Sequence, residues 1–166
     1  MTQHTHKTSP FSITTYPLVL LCDGVQSPAN IGAIFRLADA FGVQRIVFSH
    51  KPDLSSNRLK RTARTTEQNI PFTVSEDLVD EIKKLTKQKY HTIALEISGK
   101  SIPLHTLSIS KEQSIALLIG SESAGVSEEI LQEAAVISHI EMHGKNSSMN
   151  VAQATAIALY EITKQL

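Results

Sequence analysis

Cysteine is all but missing from this chain of 166 residues: Cys22 is the single thiol, which excludes an internal disulfide framework. It lies in the apolar run PLVLLCD and reads as a small buried side chain rather than a nucleophile or a metal ligand. Net charge is also lacking, with 16 basic against 16 acidic residues, so the protein cannot coat nucleic acid through bulk charge and any such affinity must be local. No apolar run approaches the length of a membrane span. The first 16 residues, MTQHTHKTSPFSITTY, lack the continuous apolar core of a secretory signal, so a cytoplasmic protein is expected. Residues 1–16 read as a flexible tail before one domain over 17–166.

Several catalytic signatures are absent as well. There is no G-x-G-x-x-G dinucleotide fingerprint, and Gly120 and Gly125 have P-loop spacing but are followed by Val126 where the phosphate-binding lysine belongs. No G-x-S-x-G nucleophile elbow occurs. His139 and His143 are four apart, yet Glu141 does not adjoin the first histidine as H-E-x-x-H requires, and the segment reads as extended or looped; no metal is expected. The sequon Asn146-Ser147-Ser148 reads as accidental in a chain without a secretory signal.

What is present is an alternation of short apolar runs with helical patterns. Residues 18–22, 45–48, 91–97 and 114–119 read as buried strands. Between them, residues 29–41 place Ile31, Ile34, Phe35, Ala38 and Phe41 on one helical face, with Gly42 as the stop. Ser75 is the expected N-cap of a helix that begins acidic and ends in lysines, Ser127 opens another, and residues 150–164 carry Val151, Ala154, Ile157, Ala158 and Ile162 at helical spacing. The expected fold is α/β, a mostly parallel sheet covered by helices on both faces. In such folds ligands bind where loops leave the carboxyl ends of the strands. The loops SPANIGAIFR and GSESAG fall there.

Each candidate feature has an ordinary reading beside a functional one. The glycines of GSESAG suit a plain turn, or close approach of backbone to a flat ligand. Asn30 can cap a helix or hold Arg36, whose planar guanidinium suits phosphate or carboxylate but is equally at home on a helix surface. The cluster NRLKRTAR, with Arg58, Lys60, Arg61 and Arg64, suits a solvated surface turn or a phosphate contact.

Three ordered segments, NIGAIFRLADAFGV, LLIGSESAGVSEEIL and HIEMHGKNSSMNVAQATAIALYE, resemble the motifs N-x-G-x-x-x-R, G-x-E-x-x-G and I-P-M-x-G-x-x-x-S-L-N-V of the SpoU (TrmH-type) family of SPOUT methyltransferases. The resemblance runs from Pro17 to Glu161. It departs at Glu141, where the family has proline, at Met149, where it has leucine, and around Gln153. It implies a C-terminal trefoil knot, an exception to the rule against threaded chains, and a homodimer with composite active sites. It implies S-adenosylmethionine as cofactor, held by Leu95, Glu96, Ile97, Gly120, Gly125, Ile140 and Met149. Arg36, Asn30, Glu122, Ser148 and Asn150 then form the catalytic side, and Arg58, Lys60, Arg61 and Arg64 bind RNA. The implied reaction is methyl transfer to a ribose 2'-hydroxyl, with transfer RNA preferred over ribosomal RNA. The competing expectations are a non-catalytic RNA-binding member of the same fold and an unknotted nucleotide-binding enzyme.

Overall fold

The computed structural model describes residues 12–146 and 148–166. Most of the expected N-terminal tail, and Ser147 of the sequon, lie outside the described residues. Seven strands form one sheet in the order β3-β2-β1-β6-β4-β7-β5: β1 (Tyr16–Cys22), β2 (Val43–Phe48), β3 (Phe72–Val74), β4 (His91–Leu95), β5 (Ile102–Pro103), β6 (Ile115–Ile119) and β7 (Val136–His139). Each described pairing is parallel. Among the described residues five α-helices accompany it: α1 (Pro28–Ala40), α2 (Asn57–Ala63), α3 (Leu78–Lys87), α4 (Glu128–Glu133) and α5 (Val151–Thr163). The α/β expectation holds.

Alternation along the central strands sorts the core into two layers, because successive strand side chains leave opposite faces of a sheet. Leu18, Leu20 and Cys22 of β1 join Ile115, Leu117 and Ile119 of β6 beneath α1, α2 and α5. Val19, Leu21, Ala116 and Leu118 face α3 and α4 on the other side. Burial on both faces explains the uninterrupted apolar runs. Cys22 is completely buried, and desolvation pushes its thiol well above the usual range, as expected of an inert core cysteine.

Several boundaries differ from expectation. β3, β5 and β7 are too short to stand out in sequence, and neighbours in the sheet supply their order. β4 ends at Leu95 instead of residue 97, since the Glu96 carboxylate turns back to accept from the N–H of Ile97. Asp77, not Ser75, caps α3: its side chain accepts from Asp80 N–H, whereas the Ser75 hydroxyl donates to the Asp77 carbonyl. The basic cluster is a helix, α2, capped by Ser56, rather than a turn. Ile157 is 41% exposed although it was expected on the buried face of α5. Gly42 stops α1 as expected, at φ +63.

Candidate active site

The two loops singled out by sequence lie at the same edge of the sheet because all its strands run parallel. Beyond β6, Gly120 leads into a tight loop closed by Ser121 and Gly125, which exchange backbone hydrogen bonds of 3.1 and 2.9 Å. A Cβ on Gly120 would fall 2.0 Å from the Gly125 carbonyl carbon and 2.2 Å from Val126 N, so this glycine lets the loop fold onto itself. The Glu96 side chain braces the loop from β4: Oε2 accepts from Val126 N–H at 2.9 Å while Oε1 accepts from Ile97 N–H at 2.8 Å. Asp23, just past β1, accepts from Ser127 N–H at 2.8 Å and ties the far end of the loop to the central strand.

Between this loop and the stretch from His139 to Val151 is a partly open pocket of about 210 Å³. All seven residues expected to hold a cofactor line it: Leu95, Glu96, Ile97, Gly120, Gly125, Ile140 and Met149. Glu122 and Ser148 line it too. Ile97 and Met149 are 54% and 37% exposed, an apolar surface that a bound flat ligand would cover. Sequence reasoning missed Ile119, Ser121, His139, Met142, Val151 and Ala154, which also line the pocket. All of them lie inside the motif segments, and Ala154 is one helical turn beyond Asn150, so the signal was available.

At the pocket rim, Asn30 joins the motifs into one hydrogen-bonded chain. Its Nδ2 donates to Glu122 Oε1, and its Oδ1 accepts from Asn150 Nδ2 at 3.0 Å. Asn150 in turn caps α5, its Oδ1 accepting from the N–H groups of Ala152 and Gln153 at 3.0 and 3.2 Å. Both amides are thereby fixed in orientation. Asn30 does not cap α1; the cap position belongs to Ser27, and Asn30 sits in the first turn.

The chain belongs to the SpoU rRNA methylase family, whose profile matches residues 17–160. It is 33% identical over 154 residues to a 23S rRNA guanosine 2'-O-methyltransferase, RlmP, of Bacillus subtilis, matching 90% of this chain and 59% of that protein. The chain spans about 60% of the length of the first curated relatives it matches. A solved AdoMet-bound rRNA methyltransferase from Sinorhizobium meliloti superposes with a TM-score of 0.81 at 28% identity, over 94% of this chain and 59% of the other. A structure described for 2-OH methylation of C/U34 on tRNA superposes at 0.78 with 26% identity, over 89% of this chain and 95% of the other.

The family's first motif divides between two jobs. Gly32 is a helix-crossing residue: a Cβ there would lie 2.1 Å from Thr62 Oγ1 and 2.4 Å from the Leu59 carbonyl oxygen, so its absence lets α1 rest directly on α2. Arg36 is exposed and outside the pocket lining. Six residues along a helix offset its backbone from that of Asn30 by about 9 Å along the axis and roughly 120° around it, and the hydrogen bonds of the Asn30 side chain go to Glu122 and Asn150. Arg58, Lys60, Arg61 and Arg64 are all exposed, and α2 presents them around its buried residues Leu59 and Ala63. His139, considered above as a metal ligand, instead has its Nδ1 2.9 Å from Ser101 Oγ. Glu141, the residue in place of proline, lies 3.4 Å from His105 Nδ1.

Proposed function

We propose that this protein is an S-adenosylmethionine-dependent RNA methyltransferase acting on a ribose 2'-hydroxyl. The observation that carries the reading is the Glu122–Asn30–Asn150 chain at the rim of a pocket lined by every residue expected to hold the cofactor. Glycine-permitted loop backbone, exposed apolar side chains and rim carboxylates suit a ligand with a flat adenosyl group and a cationic end. S-adenosylmethionine, when bound, supplies an activated methyl group on a sulfonium sulfur.

The protein's own task is to align the ribose hydroxyl with that group and raise its nucleophilicity. Guanidinium is in effect always protonated, so Arg36 is assigned to stabilising the developing alkoxide and holding the adjacent phosphate rather than to removing a proton. Glu122, with Oε1 engaged by Asn30, has Oε2 to receive the hydroxyl proton. Ser148 lines the same pocket and helps hold that geometry. The outward position of Arg36 and the exposure of Ile157 and Tyr160 on α5, 41% and 62%, support a homodimer in which Arg36 completes the partner's site. The order β1-β6-β4-β7, with α5 returning to pack on α1, supports the C-terminal knot. No helix among the described residues is long and apolar enough to cross a membrane.

Transfer RNA is the inferred substrate, supported by the tRNA-directed neighbour matched along 95% of its length; 23S ribosomal RNA, named for the B. subtilis relative, is the alternative. The deciding experiment incubates the protein with methyl-labelled S-adenosylmethionine and separately with tRNA and 23S rRNA, then maps 2'-O-methyl nucleosides by mass spectrometry. Label in tRNA is expected. Label in 23S rRNA alone corrects the substrate, and cofactor and RNA binding without transfer identifies a non-catalytic RNA-binding member.

A further inference from the structure

We propose that a second pocket, between the first turn of α1 and the loop following β2, binds a nucleobase next to the methylated nucleotide. The inference rests on the RNA reading above and adds a site to it. The pocket is about 230 Å³ in size. Val25, Ile31 and Leu59, all buried, form its floor, and Gln26, His50, Lys51 and Asp53, all exposed, form its rim. An apolar floor with a polar rim matches what a base demands, a hydrophobic face and hydrogen-bonding edges.

Position ties the pocket to the reaction. Pro28 and Ile31, three apart, share the face of α1 that meets this pocket, whereas Asn30 turns to the opposite side and bonds Glu122 in the cofactor pocket. One helix therefore stands between the two sites, a separation on the order of 10 Å and within reach of a neighbouring nucleotide. Leu59 belongs to α2, so the helix that floors this pocket also presents Arg58, Lys60 and Arg61 to solvent for the phosphates on either side.

The rim is set up for reading a base rather than gripping a phosphate. Ser49 Oγ accepts from Gly24 N–H at 2.8 Å and stands 2.9 Å from His50 Nδ1. The ring nitrogens of exposed His50 can donate to or accept from a base edge, with Nδ1 shared with the Ser49 hydroxyl. The Gln26 amide both donates and accepts. Asp53 has Oδ1 occupied by the N–H and hydroxyl of Ser55, at 2.9 and 2.6 Å, which holds its carboxyl below the usual range and keeps it anionic. The Asp53 carboxylate accepts from the amino group of a base and offsets the Lys51 ammonium on the same rim, so the rim carries no net positive charge to hold a phosphate.

The test has a binding arm and a kinetic arm. Isotope-labelled protein is titrated with each of the four nucleoside 5'-monophosphates, with S-adenosylmethionine present to fill the first pocket and with inorganic phosphate as the control. Amide shifts at Gln26, His50 and Lys51 are expected from at least one nucleotide and not from phosphate. In the kinetic arm, the double variant Gln26→Ala, His50→Ala, both exposed, should raise the KM for RNA roughly tenfold while leaving cofactor affinity and thermal stability unchanged. Equal shifts from inorganic phosphate, or no shifts together with an unchanged KM, overturn the proposal. Transfer by the native protein with neither effect rejects only this pocket; nucleotide shifts without transfer to any RNA reject the enzymatic reading and leave the base site standing.

Discussion

The two halves of the sheet's carboxyl edge hold their functional residues by different means. On the β1–β2 side, position comes from close packing. Gly32 lets α1 lie against α2, and Phe35, Phe48 and Phe72 form a cluster of one tilted and two edge-to-face contacts with ring centroids 5.6 to 6.0 Å apart. On the β4–β6–β7 side, position comes from hydrogen bonds to backbone: Glu96 to Val126, Asp23 to Ser127, Asn150 to the first turn of α5. Packing transmits a defect through the whole core, whereas a lost polar brace loosens one loop. The side assigned to RNA is therefore a rigid platform, and the side assigned to the cofactor is a set of braced loops.

Substitutions on the two sides should separate these modes. Gly32→Val should have the largest effect, about 3 kcal/mol of stability and a melting temperature lower by roughly 10 °C in calorimetry, because backbone of α2 occupies the space. A variant melting like the native protein breaks the packing argument. Arg36→Lys should lower kcat by about 100-fold with cofactor affinity intact, since an ammonium lacks the planar fork; near-normal turnover rejects the clamp. Glu96→Gln should weaken S-adenosylmethionine binding roughly tenfold in calorimetric titration with little change in melting, because the amide cannot accept from both N–H groups. An equally large stability loss would place Glu96 with the packed side instead.

Smaller effects refine the contrast. Asn150→Ala should cost about 1 kcal/mol as a lost helix cap, read by denaturant unfolding, and also free Asn30. Replacing Arg58, Lys60, Arg61 and Arg64 by alanine should leave folding and cofactor binding alone and flatten the logarithmic salt dependence of RNA binding by up to about 3. An unchanged slope returns the four to ordinary surface residues.

Much of this architecture was legible in the chain. Residues 18–22 of β1, 46–48 of β2, 93–95 of β4 and all of β6 are apolar on both faces, which makes them continuous runs, and the glycine after α1 marked its end. β3, β5 and β7 were not legible, since strands of two to four residues owe their order to neighbours. α2 carried a readable signal that composition obscured: Ser56 as cap, then Leu59 and Ala63 four apart. Gly120, Gly125, Ile140 and Met149 could be named from motif order and Leu95, Glu96 and Ile97 from the end of a predicted strand, and all seven line one pocket. That Arg36 is exposed and outside the pocket lining could not be read from its place in a motif with Asn30.

The sequence by itself determined which segments are strands and helices wherever burial imposes a period, and which motifs occur in which order. Only the tertiary structure decided what those motifs touch. Asn30 meets Glu122 across 92 positions and Asn150 across 120, because the strand order places β6 beside β1 and packs α5 against α1. Hydrogen bonds between such distant groups depend on where the chain returns in space, and no local spacing encodes that.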